Sequence, residues 1–536
     1  MTRTHRNGAI VAFALLQLCA GGACGGRDSG LEEPLDLLGE PVALQNKLVF
    51  VDGSGDRAYV LDVSGKQPAS EAQTVELPHA PLLSVRRNAK NEALILTQGR
   101  RADSKQEAEP AELVALSSSG KLRRYVLGNP FDRMVQSEDG RYALLFKSGS
   151  AERLLDNPNE IAVVDLDGAP GDKNPRLRTL RSFADSPLAA VYSPQMTIVG
   201  EQRRLLVVLS HKNVTLLDLD HLDRRETTVQ LSSVNGQAAE PAQVVFSPDR
   251  PELYVRGAGS SDVFVFNLSE RPGGTEDADG GDPHNDFRPS IDQLGVGGTP
   301  SDMKLYPADS GTRLLVLSAA SQQASVVDAD TSQLTNVALP TTASHVLLFS
   351  ATSPRDNAVS TRALLYDDNA SSLLFMDLAD IEQRGSRNLE QVALDQPIVK
   401  LIAIPEERRV LVLHSQGVSL VDLAARTVSP LSSDRKLDDA LFDAKHHRLW
   451  VGPAGQPFVG YLDLESDAQN QSGDTHELLL DASIDQLVPM FDDNRLAIVH
   501  DSPAGYVTLL DARSPSRETA TSVRGFFLAG LLDRGE

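Results

Sequence analysis

The chain of 536 residues has only 2 cysteines and 1 tryptophan. Two thiols, Cys19 and Cys24, allow neither a disulfide framework nor a cysteine zinc site. Cations are also in deficit: 51 Lys+Arg against 74 Asp+Glu give a net charge of -23. Binding to a phosphate backbone draws on Lys and Arg that displace counterions, so the composition excludes nucleic acid as an expected partner. There is no His-Glu-x-x-His, no Gly-x-Ser-x-Gly, no phosphate loop, no Gly-x-Gly-x-x-Gly and no Cys-x-x-Cys-His. Those absences remove the helical zinc-protease site, the nucleophile elbow, the common nucleotide cradles and c-type haem attachment. No apolar run reaches the ~20 residues that cross a bilayer as a helix. The sequence therefore assigns no catalytic residue, cofactor or metal.

The first residues form a secretory signal, expected to occupy 1–23. Arg3, His5 and Arg6 make the positive end, and Ala9 to Leu18 the short apolar stretch. Small residues follow, Ala20, Gly21, Gly22 and Ala23, and then Cys24. Residues 24–42 are polar and glycine-rich at their start and have the composition of a flexible tether.

An exported chain whose mature N-terminus is its cysteine resembles a bacterial lipoprotein. Ala23 and Gly22 fit the lipobox, although Gly21 stands where leucine is usual. The resemblance implies acylation of Cys24 and stable membrane attachment through several chains. Gly25, standing where an aspartate would retain the protein at the inner membrane, implies the outer membrane, facing either the periplasm or the cell surface. Plain signal cleavage after Ala23 is the alternative.

From residue 43 to 536 one pattern recurs: a strand, a turn such as Ser247-Pro248-Asp249, an Arg-led apolar strand, a short loop, and a strand ending in Asp-Leu. Apolar residues alternate or run for four to six positions between turn residues, as strands require. The third-strand acids are Asp62, Asp165, Asp218, Asp328, Asp377, Asp422, Asp463 and Asp511, with Asn267 and Ala115 in the two remaining units. Nine steps from Asp62 to Asp511 give a period of about 50 residues, the spacing of four-stranded propeller blades. The expected fold is all-β, a β-propeller of about ten four-stranded blades, as one large ring or two smaller propellers.

These repeats resemble the YVTN-type propellers of bacterial secreted proteins, and more loosely WD repeats, with Gly297-Gly-Thr-Pro-Ser-Asp-Met303 through Val327-Asp328 the nearest match. Trp450 is followed by Val451, so the Trp-Asp dipeptide of WD repeats is missing. The first unit lacks an evident inner strand, and Val523 to Leu528 is surplus at the other end. A strand donated by the C-terminus to the first blade is the expected closure.

Four groups of residues are candidates for chemistry, and each has a plainer reading. The repeated acids could ring a cation, but an Asp after a strand commonly accepts N–H groups of the next turn. Asp277, Asp279, Asp282 and Asp286 in the stretch 271–290 supply oxygen ligands without calcium-loop spacing, and fit a solvated insertion. His414 and His500 hold equivalent places in two repeats. His446-His447 lies in a turn.

The function expected is that of a membrane-anchored scaffold of the cell envelope, binding a protein or surface macromolecule without catalysis. A lactonase-like hydrolase using the central funnel is the alternative. Labelled palmitate is expected to enter the wild type, and Cys24→Ser is expected to lose the label and leave the membrane fraction. An unlabelled wild type would make Ala23 an ordinary cleavage site.

Overall fold

A computed structural model describes residues 36–527, apart from 66–70, 101, 103–106, 149–156, 181–185, 233–235, 237, 270–286, 309–310, 353–358, 380, 382–384, 405–407, 433–439 and 465–475. The expected signal, Cys24 and most of the acidic stretch lie outside the described residues.

Ten four-stranded antiparallel sheets follow one another along the chain, each with its strands in sequence order. These blades span 42–76, 81–126, 133–179, 187–230, 240–295, 302–338, 345–393, 398–432, 440–479 and 484–524. First strands of neighbouring blades touch, as in blades 5 and 6, 6 and 7, and 1 and 2, so the first strand is innermost and the fourth outermost. Because strands alternate in direction, all first strands begin on one face of the ring. That upper face carries the loops between strands 2 and 3 and the blade-to-blade connections. The lower face carries the turns after strands 1 and 3.

The second strands are almost wholly apolar because both faces of every blade are covered. In Glu92–Thr97 of blade 2, Leu94 and Leu96 pack toward blade 3, while Ala93 and Ile95 pack toward blade 1. In Leu205–Ser210 of blade 4, Val207 and Leu209 face blade 5, and Leu206 and Val208 face blade 3. The period of two thus splits each run between two interfaces. Ten apolar clusters fill ten interfaces, and the tenth joins blade 10 to blade 1. The molecule is one closed ring and not two propellers.

Closure differs from the expected strand exchange. Val42–Leu44 is the inner strand of blade 1, turned back through Gln45 and Asn46, the latter at φ 53°. Thr521–Arg524 is the outer strand of blade 10 itself. The ring is shut by side chains: Phe526 and Phe527 lie 5.2 and 5.4 Å from Phe50, and Phe527 lies 4.9 Å from Tyr59. Gly505 lets them in, because at φ 82° a Cβ there would sit 2.8 Å from the Phe527 ring.

Blade 4 carries an extra hairpin, Met196–Ile198 with Glu201–Arg203, on the lower face. It buries Met196 and Ile198 against blades 4 and 5. Arg203, fully buried, bonds Asp218 at 2.9 Å and Glu201 at 2.6 Å. Phe527→Ala is expected to lower stability by about 3–5 kcal/mol in urea unfolding, the usual range for a buried Phe. Val207→Asp places an unpaired charge between blades and is expected to abolish a cooperative transition. An unchanged midpoint in either variant would contradict the packing described.

Candidate functional site

The repeated acids are structural fittings. Asp62 accepts the Ser64 N–H at 2.8 Å, Asp328 those of Asp330 and Thr331 at 2.8 and 2.9 Å, and Asp422 those of Ala424 and Ala425 at 2.8 and 2.7 Å. Asn267 does the same for Ser269 at 2.9 Å. The second oxygen meets the cation that leads the second strand, as in Arg313–Asp328 at 2.9 Å and Arg448–Asp463 at 3.1 Å. In blade 2 the equivalent place is held by Ser117, opposite Glu92, and not by Ala115, which lies two residues earlier inside the strand. A hydrogen bond from Arg513 is the largest influence on Asp511, whose pKa falls to about 2. Among the described residues no three His, Cys, Asp or Glu side chains group to hold a metal ion.

His414 and His500 do occupy equivalent places, at the upper ends of second strands. Each Nδ1 meets a carbonyl of the incoming connection, Pro397 or Ser483, at 3.0 Å. Each Nε2 meets a third-strand hydroxyl, Ser419 Oγ or Thr508 Oγ1, at 2.8 Å. Both nitrogens are engaged, so these rings pin loops to blades and do not converge. His446 bonds Asp443 at 2.7 Å and Asn494 at 3.2 Å, tying blade 9 to blade 10 on the lower face.

The distinctive feature of the upper face is the mouth of the channel. Five inner strands carry a register shift at the same place, which leaves Leu82, Leu188, Ala242, Val399 and Asp485 without a cross-strand partner. A bulge re-aims its side chain and bends its strand. Leu82, Leu188 and Val399 are accordingly 37%, 38% and 54% exposed, each directly after a buried residue, Pro81, Pro187 or Ile398. Pro81 and Pro187 open two of these strands, Pro241 is second in a third, and Pro397 precedes a fourth. Proline removes donors from an edge that would otherwise recruit another strand. The mouth therefore presents side chains, not a free ladder.

Just inside, Lys400 and Arg133 are exposed on inner strands. The blades are knitted there by side-chain amides. Gln243 donates to Asp302 at 2.7 Å and accepts from Met303 N at 3.2 Å, and Asp302 accepts Val346 N at 2.9 Å. These mouth residues escaped the sequence reading. Their signal was a proline beside an apolar pair, as in Pro81-Leu82-Leu83 and Pro187-Leu188-Ala189.

A cavity of about 70 Å³ opens at the junction of blades 10 and 1, lined by Leu37, Leu38, Pro41, Phe50, Val499, Asp485 and Gln486 among others. Its outer wall is the segment before blade 1, held by Leu38 N–H to Val51 O at 2.9 Å and Gly53 N–H to Asp36 O at 2.7 Å.

No protein-family model matches the sequence, and no curated protein matches it significantly. Solved structures with a similar course include the dihydro-haem d1 dehydrogenase NirN in complex with DHE, at TM-score 0.36 and 11% identity over 90% of this chain and 74% of that one. Apo AztD from Citrobacter koseri is similar at TM-score 0.34 and 10% identity, over 68% of this chain and 88% of that one. A functionally unknown protein from Desulfotomaculum acetoxidans is similar at TM-score 0.31 and 11% identity, over 59% and 90%. At these identities none of their chemistry transfers. The chain is a single-ring β-propeller of ten blades.

Burial holds the His500 pKa below the ordinary histidine value, against the pull of the Ser483 and Ala482 carbonyls. As pH falls through the unfolded value of about 6.5, the unfolded chain takes a proton that the folded site resists. Stability is thus expected to drop below that pH, and His500→Asn to remove part of the drop. Urea midpoints at pH 7.5 and 5.5 measure it, and an equal drop in both proteins would contradict the pinned ring.

Proposed function

We propose that the chain is an exported, membrane-anchored lipoprotein whose ring acts as a non-catalytic protein-interaction scaffold of the cell envelope. The observation that carries this reading is the mouth, where bulges at one height turn Leu82, Leu188 and Val399 outward on a frame closed by ten apolar layers. Exposed aliphatic side chains on a rigid frame suit recognition of another macromolecule. Val42 begins its strand on the upper face, so the N-terminal segment leaves the ring beside this mouth. From Cys24 to Asp36 the chain reaches at most about 40 Å, so a lipid anchor would hold the mouth near the membrane and keep the acid-rich lower face away. The outer-membrane address remains that implied by Gly25.

A photo-crosslinking residue at 82, 188 or 399 in the native cell is expected to yield one adduct of common mass, absent at Leu177 or Leu479 on the outer strands. Equal adducts at all five positions, or none at the mouth, would refute the scaffold reading. Enzymatic turnover of a lactone by the purified protein would replace it with the hydrolase.

A further inference from the structure

The junction of blades 10 and 1 breaks the pattern of the mouth in three ways. First, it holds the cavity walled by Leu38, Pro41, Phe50 and Val499. Second, its bulge residue is Asp485, where blades 2, 4, 5 and 8 have Leu82, Leu188, Ala242 and Val399. The distortion that elsewhere exposes an aliphatic group here exposes a carboxylate at the rim of the cavity.

Third, an acceptor is left over. Gln486 follows its bulge as Gln243 follows the one in blade 5, opposite Val499 and Arg256 respectively. The Gln243 amide is satisfied by the next blade's inner strand: its Oε1 accepts Met303 N at 3.2 Å and its Nε2 donates to Met303 O at 3.2 Å. The next blade after Gln486 is blade 1. Its inner strand is three residues long and follows Pro41, which has no N–H to give. Gln486 Oε1 is buried and receives no hydrogen bond. A buried acceptor left unmade is costly. Trp450 Nε1 and Ser318 Oγ also stand without a hydrogen bond, and what sets Gln486 apart is that it lines the cavity beside Asp485.

We propose that this cavity is a binding site for a primary alkylammonium group. Such a head has three donors, no acceptor and a positive charge. One N–H goes to Gln486 Oε1, the charge is met by Asp485, and a short alkyl body lies against Leu38, Pro41, Phe50 and Val499. A carboxylate ligand is repelled by Asp485, and a neutral alcohol lacks the charge that Asp485 favours. The head can belong to a free amine or to a lysine side chain.

The test is calorimetric titration of the full-length mature protein with n-butylammonium chloride at constant ionic strength, with n-butanol as the neutral comparison. One saturable site per chain is expected, at least about tenfold weaker for butanol, and at least about tenfold weaker for butylammonium in Asp485→Asn and in Gln486→Leu. Without ligand, Gln486→Leu is expected to keep or raise the Tm, because it removes the orphaned acceptor, so lost binding there is not lost folding. A Gly-Lys-Gly peptide and its lysine-acetylated form separate the two sources: uptake of the unmodified peptide points to lysine, and its exclusion to a free amine. No saturable binding, equal affinity for butanol, or unchanged affinity in both variants would overturn the proposal.

Discussion

A four-stranded sheet that is apolar on both faces must have both faces covered, and a row of such sheets always has two bare ends. This chain has ten of them, and it removes the ends by bringing the last against the first. The tenth layer contains Leu48, Phe50, Tyr59 and Leu61 from blade 1, with Val488, Ala497, Val499 and Leu509 from blade 10. Phe526 and Phe527 complete it. Among the described residues no backbone ladder crosses the junction, so closure depends mainly on apolar burial and ring packing. The Asn46 N–H bonds Asp493 Oδ2 at 2.9 Å and Arg495 Nη2 bonds Gly65 O at 2.6 Å across it.

That constraint explains where polar groups stand. Many of the buried polar groups stand near strand ends and are bonded there: Asp52 to Arg57 at 3.0 Å, His414 to Ser419, His500 to Thr508. The acids at the ends of third strands serve the turns of the lower face. Five inner strands relax their register at the upper ends, which leaves side chains directed away from the apolar layers. The face with freedom to vary is therefore the mouth, and it is where the N-terminal segment crosses.

Much of the ring was legible in the sequence. The Arg-led runs and the Asp-Leu endings set the period and the blade number, because most blades repeat the same turn and a cross-strand ion pair such as Arg313–Asp328 or Arg448–Asp463. Blade 2 lacks the acid: with Ser117 at the turn nothing in the sequence marks the strand end, and the repeat spacing points to Ala115, two residues inside the strand. The inner strand of blade 1, Val42–Leu44, is too short to show a period, so the true closure leaves no mark in the sequence. The bulges were hidden for a related reason. A bulge is a one-residue break in a two-residue alternation, and these half-buried inner strands carry apolar residues on both sides of the break, as in Pro187-Leu188-Ala189-Ala190, so no alternation shows it. The adjoining prolines were the available trace.

The likeness of one blade to the next also makes the exceptions informative. Asp485 and Gln486 depart from their counterparts at the junction where the ring is shut, so closure and the cavity occupy the same place. Single-particle electron microscopy of the purified protein tests the central claim most directly. Views down the axis are expected to show ten lobes evenly spaced around one open channel. Two smaller rings, or an arc with a gap between the first and last lobes, would contradict it.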